Sequence, residues 1–386
     1  MKNNVNFSYC YGCGVCATAC PQNAITIKLN ENGFLKPFID ETCINCGICL
    51  KVCAFNHSEI CIPNDKIVPY SAAAWSKDDN VRYTCTSGGA AYEIERFLLS
   101  QGFNVVVVRY DISEHKAEHY IARTETELIE SIGSKYIQSQ TYNAFRSLVK
   151  NQKYLVVGTP CQIDSLRRFI RMNKMEDNFI LMDFFCHSVP SIKMWHKYID
   201  MIGFKNIEKV KFRCKRNGWH DSKTTLIHGD GKEWCSSLSD GDLFYWFFLG
   251  DRCLNPSCIK ECKYKQQSSA ADLRIGDLWG NKYSKEDKGV NALVAFTNKG
   301  KNIIDNLEQC VLEPCDFETV AEFQMKQNAK PKRSYEYVLN ALNKNISLKK
   351  IYRTATFIEL PDTIPSLVKY YYNRIIYKCK LLFRLK

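Results

Sequence analysis

Two short runs of cysteine near the N-terminus constrain this chain more than any other feature. The first run is Cys10-x2-Cys13-x2-Cys16-x3-Cys20-Pro21, and the second is Cys43-x2-Cys46-x2-Cys49-x3-Cys53. Three thiolates at two-residue gaps can face one iron–sulfur cube from a single tight loop, while the fourth points towards another cube. The spacing therefore predicts two 4Fe-4S clusters, one held by Cys10, Cys13, Cys16 and Cys53 and the other by Cys43, Cys46, Cys49 and Cys20.

Zinc knuckles and disulfide bonds are the alternatives for such a pattern. Zinc sites normally combine two separated cysteine pairs, whereas here the same four-cysteine register occurs twice. Between the runs, Ala24–Leu29 and Phe34–Ile39 flank a turn that ends in Gly33, which is typical of a hairpin. Residues 1–60 are therefore predicted to form an internally duplicated dicluster ferredoxin domain.

Composition bounds the rest of the chain. It has 386 residues, 20 cysteines and a net charge of +12. The N-terminus shows no apolar signal segment, and no run approaches the ~18 apolar residues of a membrane span. We therefore expect a cytoplasmic protein with reduced, metal-ligating thiols. The positive charge is concentrated near the C-terminus, so no nucleic-acid partner is expected.

The C-terminal segment Ser366–Lys386 interleaves basic residues with tyrosine and aliphatic residues and contains no acid. A basic amphipathic helix of this kind can lie on the anionic inner face of a membrane. It can equally dock its apolar face on the protein itself. Both interpretations stay open, and the first predicts peripheral membrane contact.

Beyond a linker containing Pro63 and Pro69, predicted strands alternate with helices, which favours an α/β layer architecture. The predicted strands are Asn104–Tyr110, Tyr154–Val157, Phe179–Phe185 and a last inner strand at Asp272–Leu278, with an antiparallel pair at Lys209–Arg213 and Thr224–His228. The predicted fold class is α+β: a ferredoxin-like domain at 1–60, a larger α/β domain at 70–310, and a C-terminal helical region at 311–386.

Several short motifs lie where the predicted strands end, which is where α/β sheets place their sites. Thr86-Ser87-Gly88-Gly89 opens a helix, where free N–H groups suit a phosphate, although a plain N-cap explains it as well. Four cysteines outside the ferredoxin domain could bind a third cluster or pack as small hydrophobic side chains: Cys161, Cys186, Cys258 and Cys262.

Taken in order, these segments resemble the family of the beta subunit of coenzyme F420 hydrogenase and dehydrogenase, in the subgroup with a fused dicluster ferredoxin domain. The resemblance rests on TSGG at Thr86–Gly89, GSKYIQS at Gly133–Ser139, GTPCQI at Gly158–Ile163, FCHSVPS at Phe185–Ser191, the pair Cys258 and Cys262, IGDLWG at Ile275–Gly280, and KGVNALVAFTNKG at Lys288–Gly300. Family members are iron–sulfur flavoproteins, several of which bind FAD. This chain looks most like those encoded beside polysaccharide-assembly genes.

The resemblance implies a flavin, FAD, and a third 4Fe-4S cluster. The implied flavin contacts are Ser87, Gly88, Gly89, Ser134, Lys135, Tyr136, Thr159 and Gln162. The implied ligands of the third cluster are Cys161, Cys186, Cys258 and Cys262. Two departures affect this cluster: Ser188 stands where the family usually has glycine, and the last cysteine pair is spaced more widely than usual. Cys253 is an alternative ligand.

These features predict an iron–sulfur flavoprotein oxidoreductase that takes electrons from ferredoxin or a similar donor and acts on a small organic substrate in polysaccharide biosynthesis. Flavin supplies the two-electron store that hydride chemistry requires. Lys135, Tyr136 and His187 are the candidate proton donors, with a flavin or packing contact as the alternative for each. Two other functions stay open, an electron-transfer subunit of a larger hydrogenase or dehydrogenase complex and a non-catalytic redox sensor. Homo-oligomer formation also stays open.

Overall fold

The computed structural model describes residues 9–221 and 223–362. The strands are β1 (Ile25–Leu29), β2 (Leu35–Ile39), β3 (Lys66–Ser76), β4 (Asn104–Asp111), β5 (Lys116–Ala122), β6 (Ser139–Gln140), β7 (Tyr154–Val157), β8 (Phe179–Phe184), β9 (Ile207–Lys211), β10 (Thr224–Gly229), β11 (Lys232–Ser237), β12 (Leu273–Asp277), β13 (Asn291–Thr297) and β14 (Cys310–Pro314). The basic segment Ser366–Lys386 lies outside the described residues.

Helices connect most of these strands. They are α1 (Val15–Thr18), α2 (Ile48–Lys51), α3 (Asp79–Thr84), α4 (Ala90–Ser100), α5 (Glu125–Leu128), α6 (Tyr142–Arg146), α7 (Pro160–Met172), α8 (Ile192–Ile202), α9 (Leu243–Phe248), α10 (Pro256–Lys260), α11 (Asn298–Asp305), α12 (Phe317–Val320) and α13 (Tyr335–Leu342). Residues 348–362 are also helical. Within the described ranges, no helix has both the length and the apolar content needed to cross a membrane.

The N-terminal region has the structure that its cysteine spacing and turn residues predict. Strands β1 and β2 form an antiparallel hairpin in which Ile25 lies opposite Ile39, and this confirms the predicted hairpin. Each cysteine run leads into a one-turn helix, and the residues that precede α1 and α2 are Gly14 and Gly47, both with φ of 74°. Only glycine adopts this left-handed conformation at little cost. The two halves therefore repeat the same local structure.

The larger region is built on a mixed nine-stranded sheet with the order β14-β3-β13-β12-β8-β7-β4-β5-β6. Strands β12, β8, β7 and β4 are parallel neighbours. Strand β3 pairs antiparallel with β13, and β13 pairs antiparallel with β12, so β3 runs in the same direction as β12. We call the edge where these five strands end the carboxyl edge. Loops that bear functional side chains converge there.

Two predictions about this sheet are wrong. The predicted linker contains strand β3, whose residues Ala72–Ala74 are fully buried. Pro69 is tolerated in this strand because it lies near a register shift between Ala295 and Thr297 of β13, where a missing N–H matters less. Strand β12 is also not the last inner strand, because β13 lies between it and β3. The predicted strands corresponding to β4, β7, β8, β9 and β10 are confirmed.

A second, three-stranded sheet has the order β11-β10-β9 and packs near helices α8 and α9. Their contact is aromatic: Trp195 and Phe212 have ring centroids 4.5 Å apart, and Phe244 lies edge-on to Trp195 at 5.4 Å. All three side chains are buried. Edge-to-face and tilted pairs of this kind add to the free energy gained by burial.

The ferredoxin region and the large sheet share one core. Val15 and Val52 are fully buried in a cluster that also contains Ile163 and Leu166 of α7. The Gln138 side chain accepts a hydrogen bond from the Leu35 backbone N–H at 2.8 Å and donates one to the Tyr11 carbonyl at 3.0 Å. The cysteine loops are therefore fixed relative to the carboxyl edge.

Candidate redox site

Cys10, Cys13, Cys16 and Cys53, which we call the first thiol group, line a single cavity. Burial, together with the neighbouring Cys53 and Cys10, raises the pKa of Cys13 to about 12. Burial also raises the pKa of Cys16, with Cys13, Cys10 and Cys53 as the next causes. Four half-buried thiols that disfavour one another's ionisation need a positive group between them before they can all ionise. Iron supplies such a charge, so the residues fit a cube.

The second thiol group consists of Cys20, Cys43, Cys46 and Cys49. Burial raises the pKa of Cys49, and Cys43, Cys46 and Cys20 raise it further, while a backbone N–H lowers it. These four thiols are therefore close together, as the crossed assignment of the two runs predicts. Cys46 is exposed at the surface, and the adjacent Ile44 side chain is 59% exposed. The second group faces solvent, whereas the first is enclosed.

The third thiol group lies at the carboxyl edge. Cys161 is in the first turn of α7 after β7, Cys186 follows β8, and Cys258 is on α10 with Cys262 just beyond it. Burial raises the pKa of Cys161, with Cys258 as the next cause. Burial likewise raises the pKa of Cys186, followed by Cys258 and Cys262. The structure thus brings together the four cysteines that the resemblance groups.

Cys253 has different neighbours. It is fully buried, and burial raises the pKa of its thiol to about 12. The groups that act on the thiol are the Ser191 N–H, Arg252 and Asp251. This environment is that of a thiol packed in the core.

Two alternatives to iron–sulfur clusters can be compared with this geometry. The described cysteines are all free, so they form no disulfide with one another. In residues 9–221 and 223–362, no group of three or more His, Cys, Asp or Glu side chains could hold a single metal ion. This is compatible with cubes, because each thiolate of a cube binds a different iron atom and the sulfur atoms stand further apart.

Tyr11 lies between the first and third thiol groups. It follows Cys10 in sequence, and its hydroxyl donates a hydrogen bond to the Glu261 carbonyl at 2.6 Å. Burial raises the pKa of Tyr11, and Cys161, Cys262 and Cys258 raise it further. Its ring also packs 5.9 Å from that of Tyr264. The first and third groups are therefore neighbours.

Lys36 is a cation close to the same two groups. Its Nζ donates a hydrogen bond to the Cys10 carbonyl at 3.2 Å. Burial lowers the pKa of Lys36, while Cys10 and Cys258 raise it. A fixed positive charge at this position would offset part of the negative charge of two adjacent clusters.

The predicted flavin loops meet at Thr86 and Ser134. Thr86 Oγ1 accepts hydrogen bonds from the Ser134 N–H at 2.9 Å and from its hydroxyl at 3.2 Å. The Ser87 hydroxyl donates to the Val290 carbonyl at 2.8 Å. The two loops are thus brought together as the resemblance implies.

The sheet backbone lies close to Gly88 and constrains this position in addition to the predicted approach of a cofactor. A Cβ on Gly88 would lie 2.6 Å from the Ala74 carbonyl and 2.9 Å from the Asn291 backbone nitrogen. The Asn291 side chain also accepts a hydrogen bond from the Ala90 N–H at 3.0 Å, so it caps α4. The sheet backbone already requires glycine here, whether or not a cofactor also approaches.

Thr159 and Gln162 cap the helix that carries Cys161. The Thr159 N–H donates to Gln162 Oε1 at 2.8 Å, and Thr159 Oγ1 lies 3.1 Å from the Cys161 sulfur. The Gln162 amide donates to the Ser139 hydroxyl at 3.2 Å. These contacts position the third thiol group.

The three candidate proton donors have different surroundings. Lys135 Nζ donates to three backbone carbonyls, the shortest bond being 2.7 Å to Ser131, and burial lowers its pKa to about 7. The Tyr136 hydroxyl accepts a hydrogen bond from Arg213 at 3.1 Å. His187 Nε2 lies 3.0 Å from an Asp251 oxygen. The rings of Tyr136 and His187 both pack 5.2 Å from that of Phe248, so these two donors are neighbours.

Sequence reasoning missed the polar contacts around Tyr136 and around the Thr86–Gly89 loop. Arg213 donates to Asp277 at 3.0 Å, and Lys215 Nζ donates to the Ser87 carbonyl at 2.5 Å. Burial lowers the pKa of Lys215 to about 8. Asp277 belongs to the IGDLWG segment, which was a signal that could have drawn attention to it. Arg213 and Lys215 have no recognisable spacing pattern.

Residues 151–313 match the family model for the C terminus of the coenzyme F420 hydrogenase/dehydrogenase beta subunit, and residues 71–146 match the model for its N terminus. The 4Fe-4S dicluster domain matches residues 9–57. One similar solved chain is from the F420-reducing [NiFe] hydrogenase complex of Methanosarcina barkeri, at 18% identity over 75% of this chain and 91% of that chain, with a TM-score of 0.46. No curated protein matches the chain.

Proposed function

We propose that this chain, which belongs to the family of the coenzyme F420 hydrogenase/dehydrogenase beta subunit, is an iron–sulfur flavoprotein oxidoreductase. Its dicluster domain makes it an iron–sulfur electron-transfer protein of that family. The finer proposal is that ferredoxin, or a similar donor, supplies electrons for the conversion of a small organic substrate with the help of FAD. The role in polysaccharide biosynthesis rests on the sequence resemblance alone.

The spatial order of the three thiol groups is the observation that carries this proposal. The second group is exposed at Cys46, the first is enclosed beside it, and Cys49 lines the cavity of the first group. Tyr11 joins the first group to the third. The third lies at the carboxyl edge. This order supports a route from the surface to a buried reaction site.

This arrangement assigns one cofactor to each thiol group and one to the predicted flavin loops. The first, second and third thiol groups would each hold one 4Fe-4S cluster, and the loops at Thr86–Gly89 and Ser134–Tyr136 would hold FAD. Bound clusters would carry single electrons, and bound flavin would store two of them for hydride chemistry. We retain the proposed division into a ferredoxin domain at 1–60, a flavin domain at 70–310 and a helical region at 311–386.

The chain's own residues supply proton donors near these loops. Arg213 donates to the Tyr136 oxygen, so the hydroxyl hydrogen of Tyr136 can point towards a substrate. His187 Nε2 lies 3.0 Å from an Asp251 oxygen, and the side chain is 39% exposed, so its ring is accessible to solvent. Lys135 Nζ donates hydrogen bonds to backbone carbonyls. We therefore assign Lys135 first to holding its loop and contacting the flavin, and only second to proton transfer.

Cofactor analysis of the anaerobically purified chain tests the proposal. We expect about 12 iron atoms per chain, or about 8 without the third cluster, together with FAD released on heating. Addition of reduced ferredoxin should bleach both the cluster and the flavin absorbance. About 8 to 12 iron atoms without flavin would favour an electron-transfer subunit or a redox sensor. Iron near 4 atoms, or bound zinc, would overturn the dicluster assignment.

A matched pair of variants tests the third thiol group. Cys186→Ser should lower iron by about 4 atoms per chain while the two N-terminal clusters persist. Cys253→Ser changes a buried cysteine with different neighbours, so it should leave the iron content unchanged. Equal iron in both variants would show that the third group is structural.

A further inference from the structure

Two buried hydrogen-bond donors beside the third thiol group lack a well-aligned acceptor. In the described part of the chain, the Ser188 hydroxyl and the Asn255 side-chain amide nitrogen are enclosed and form no hydrogen bond of ordinary geometry. Ser188 is 8% exposed and Asn255 is fully buried. Burial without an acceptor is costly for such groups, so an acceptor is expected beside them.

The backbone holds both side chains close to Cys258. The Asn255 N–H donates to the Val189 carbonyl at 2.9 Å, and the Cys258 N–H donates to the Asn255 carbonyl at 2.9 Å. The Asn255 side-chain oxygen is already occupied, because it caps α10 by accepting from the Ser257 N–H. Only the amide nitrogen of Asn255 is left to act on a further group.

Ser188 also acts on the Cys258 sulfur directly. Burial raises the pKa of Cys258, whereas the Ser188 hydroxyl and the Val189 N–H lower it as donors. The hydroxyl is therefore near the sulfur but lacks a well-aligned acceptor there. Sulfur atoms are the acceptors that a cluster bound to these thiols would add.

We propose that Ser188 and Asn255 donate hydrogen bonds to sulfur atoms of the group held by Cys161, Cys186, Cys258 and Cys262, and that these bonds raise its reduction potential. The inference rests on the third cluster of the proposed function. One-electron reduction adds a negative charge to the cluster, which makes its sulfur atoms stronger acceptors. Donors therefore stabilise the reduced state more than the oxidised state.

Ser188 departs from the pattern that the resemblance implies, and its hydroxyl would tune the third cluster. The resemblance implies glycine at this position, where this chain has a serine hydroxyl. A higher potential at the third cluster would favour the arrival of electrons from the first thiol group, which is its neighbour through Tyr11.

Redox titration of the anaerobic full-length protein, followed by electron paramagnetic resonance, tests the inference. In Ser188→Gly we expect the reduced-to-oxidised ratio of the third cluster to fall about tenfold at a fixed potential, which is about 59 mV for one electron. Asn255→Ser keeps an oxygen for the helix cap but loses the amide, and should also lower the potential. Ser188→Thr keeps the hydroxyl and the wild-type potential. Ser58→Gly removes an exposed hydroxyl and should cause no shift.

The outcomes separate this inference from the function on which it rests. An unchanged potential in both Ser188→Gly and Asn255→Ser, at about 12 iron atoms per chain, overturns the inference and leaves the proposed function intact. About 8 iron atoms in the wild-type protein overturn the inference together with the third cluster. If Ser188→Gly loses iron, Ser188→Ala replaces it under the same criterion, because alanine also lacks the hydroxyl.

Discussion

A fully buried ion pair joins two strands of the large sheet close to the third thiol group. Arg274 of β12 and Asp183 of β8 lie opposite each other in the parallel ladder, and both side chains are 0% exposed. Their two hydrogen bonds measure 2.6 and 2.7 Å. Asp183 also accepts from the Ser269 hydroxyl at 2.7 Å. The pair thus joins β8, which ends just before Cys186, to the segment that follows Cys262.

Removing one partner should be strongly destabilising. Arg274→Met would leave the Asp183 carboxylate buried with only the Ser269 hydroxyl as a side-chain partner. Breaking a buried pair from one side costs about 3–5 kcal/mol, and we expect a loss of about 4 kcal/mol in the free energy of unfolding. Adding Asp183→Leu removes the unpaired charge. The double variant should therefore be more stable than Arg274→Met alone.

The chain contains a matched control for this experiment. Arg216 and Glu233 form a pair with similar distances, 2.6 and 2.7 Å, but their side chains are 47% and 34% exposed. Arg216→Met should therefore cost less than about 1 kcal/mol. Urea unfolding followed by circular dichroism, on iron-free forms of all variants, measures the difference. If Arg274→Met costs no more than Arg216→Met, burial does not determine the strength of these pairs.

Three further predictions concern other parts of the chain. Cys46→Ser should remove about 4 iron atoms, whereas Cys61→Ser, which changes a buried thiol outside the three groups, should remove none in the same iron analysis. Burial raises the pKa of Glu95 to about 7 from 4.5, so the folded chain holds a proton that the unfolded chain releases. As the pH rises from about 5 to about 8, the free energy of unfolding of the wild-type chain therefore falls. Glu95→Gln does not titrate, so its free energy of unfolding in urea should rise by about 3 kcal/mol relative to wild type over this range. Parallel pH profiles of the two proteins would contradict this. Gly88→Ala would place a Cβ 2.6 Å from the Ala74 carbonyl, so its Tm should fall, and an unchanged Tm would show that the sheet backbone yields.

Short sequence patterns predicted those elements that depend on residues close to one another in sequence. The hairpin of β1 and β2 depends on a short turn, and β7 and β8 are compact runs of apolar residues bounded by polar ones. Strand β3 could not be found in this way. It contains Pro69 and several alanines, and it is stabilised by β13 and β14 from near the other end of the chain. Tertiary pairing overrides local preference in such a strand.

The residues of the candidate site likewise divide into those that local spacing predicts and those that depend on distant segments. Cysteine spacing predicts the first two thiol groups because a cube imposes its geometry on one loop. The pair formed by Arg213 and Asp277 joins segments far apart in sequence, and no spacing rule describes it. Gly88 was identified as a position of close approach. The sequence could not show that its near neighbours include the backbone of β3 and β13.

The anchoring of the ferredoxin region has a consequence for how electrons would be delivered. Ser165 Oγ of α7 lies 3.3 Å from the Cys13 sulfur and accepts from the Ala54 N–H at 3.1 Å, so one residue of the large sheet domain contacts both cysteine runs. The ferredoxin region therefore cannot move as a mobile domain that carries electrons between docking positions. The separations between thiol groups are set once, when the chain folds. Electrons that entered at the exposed Cys46 would then cross fixed separations, and their transfer would not depend on domain motion.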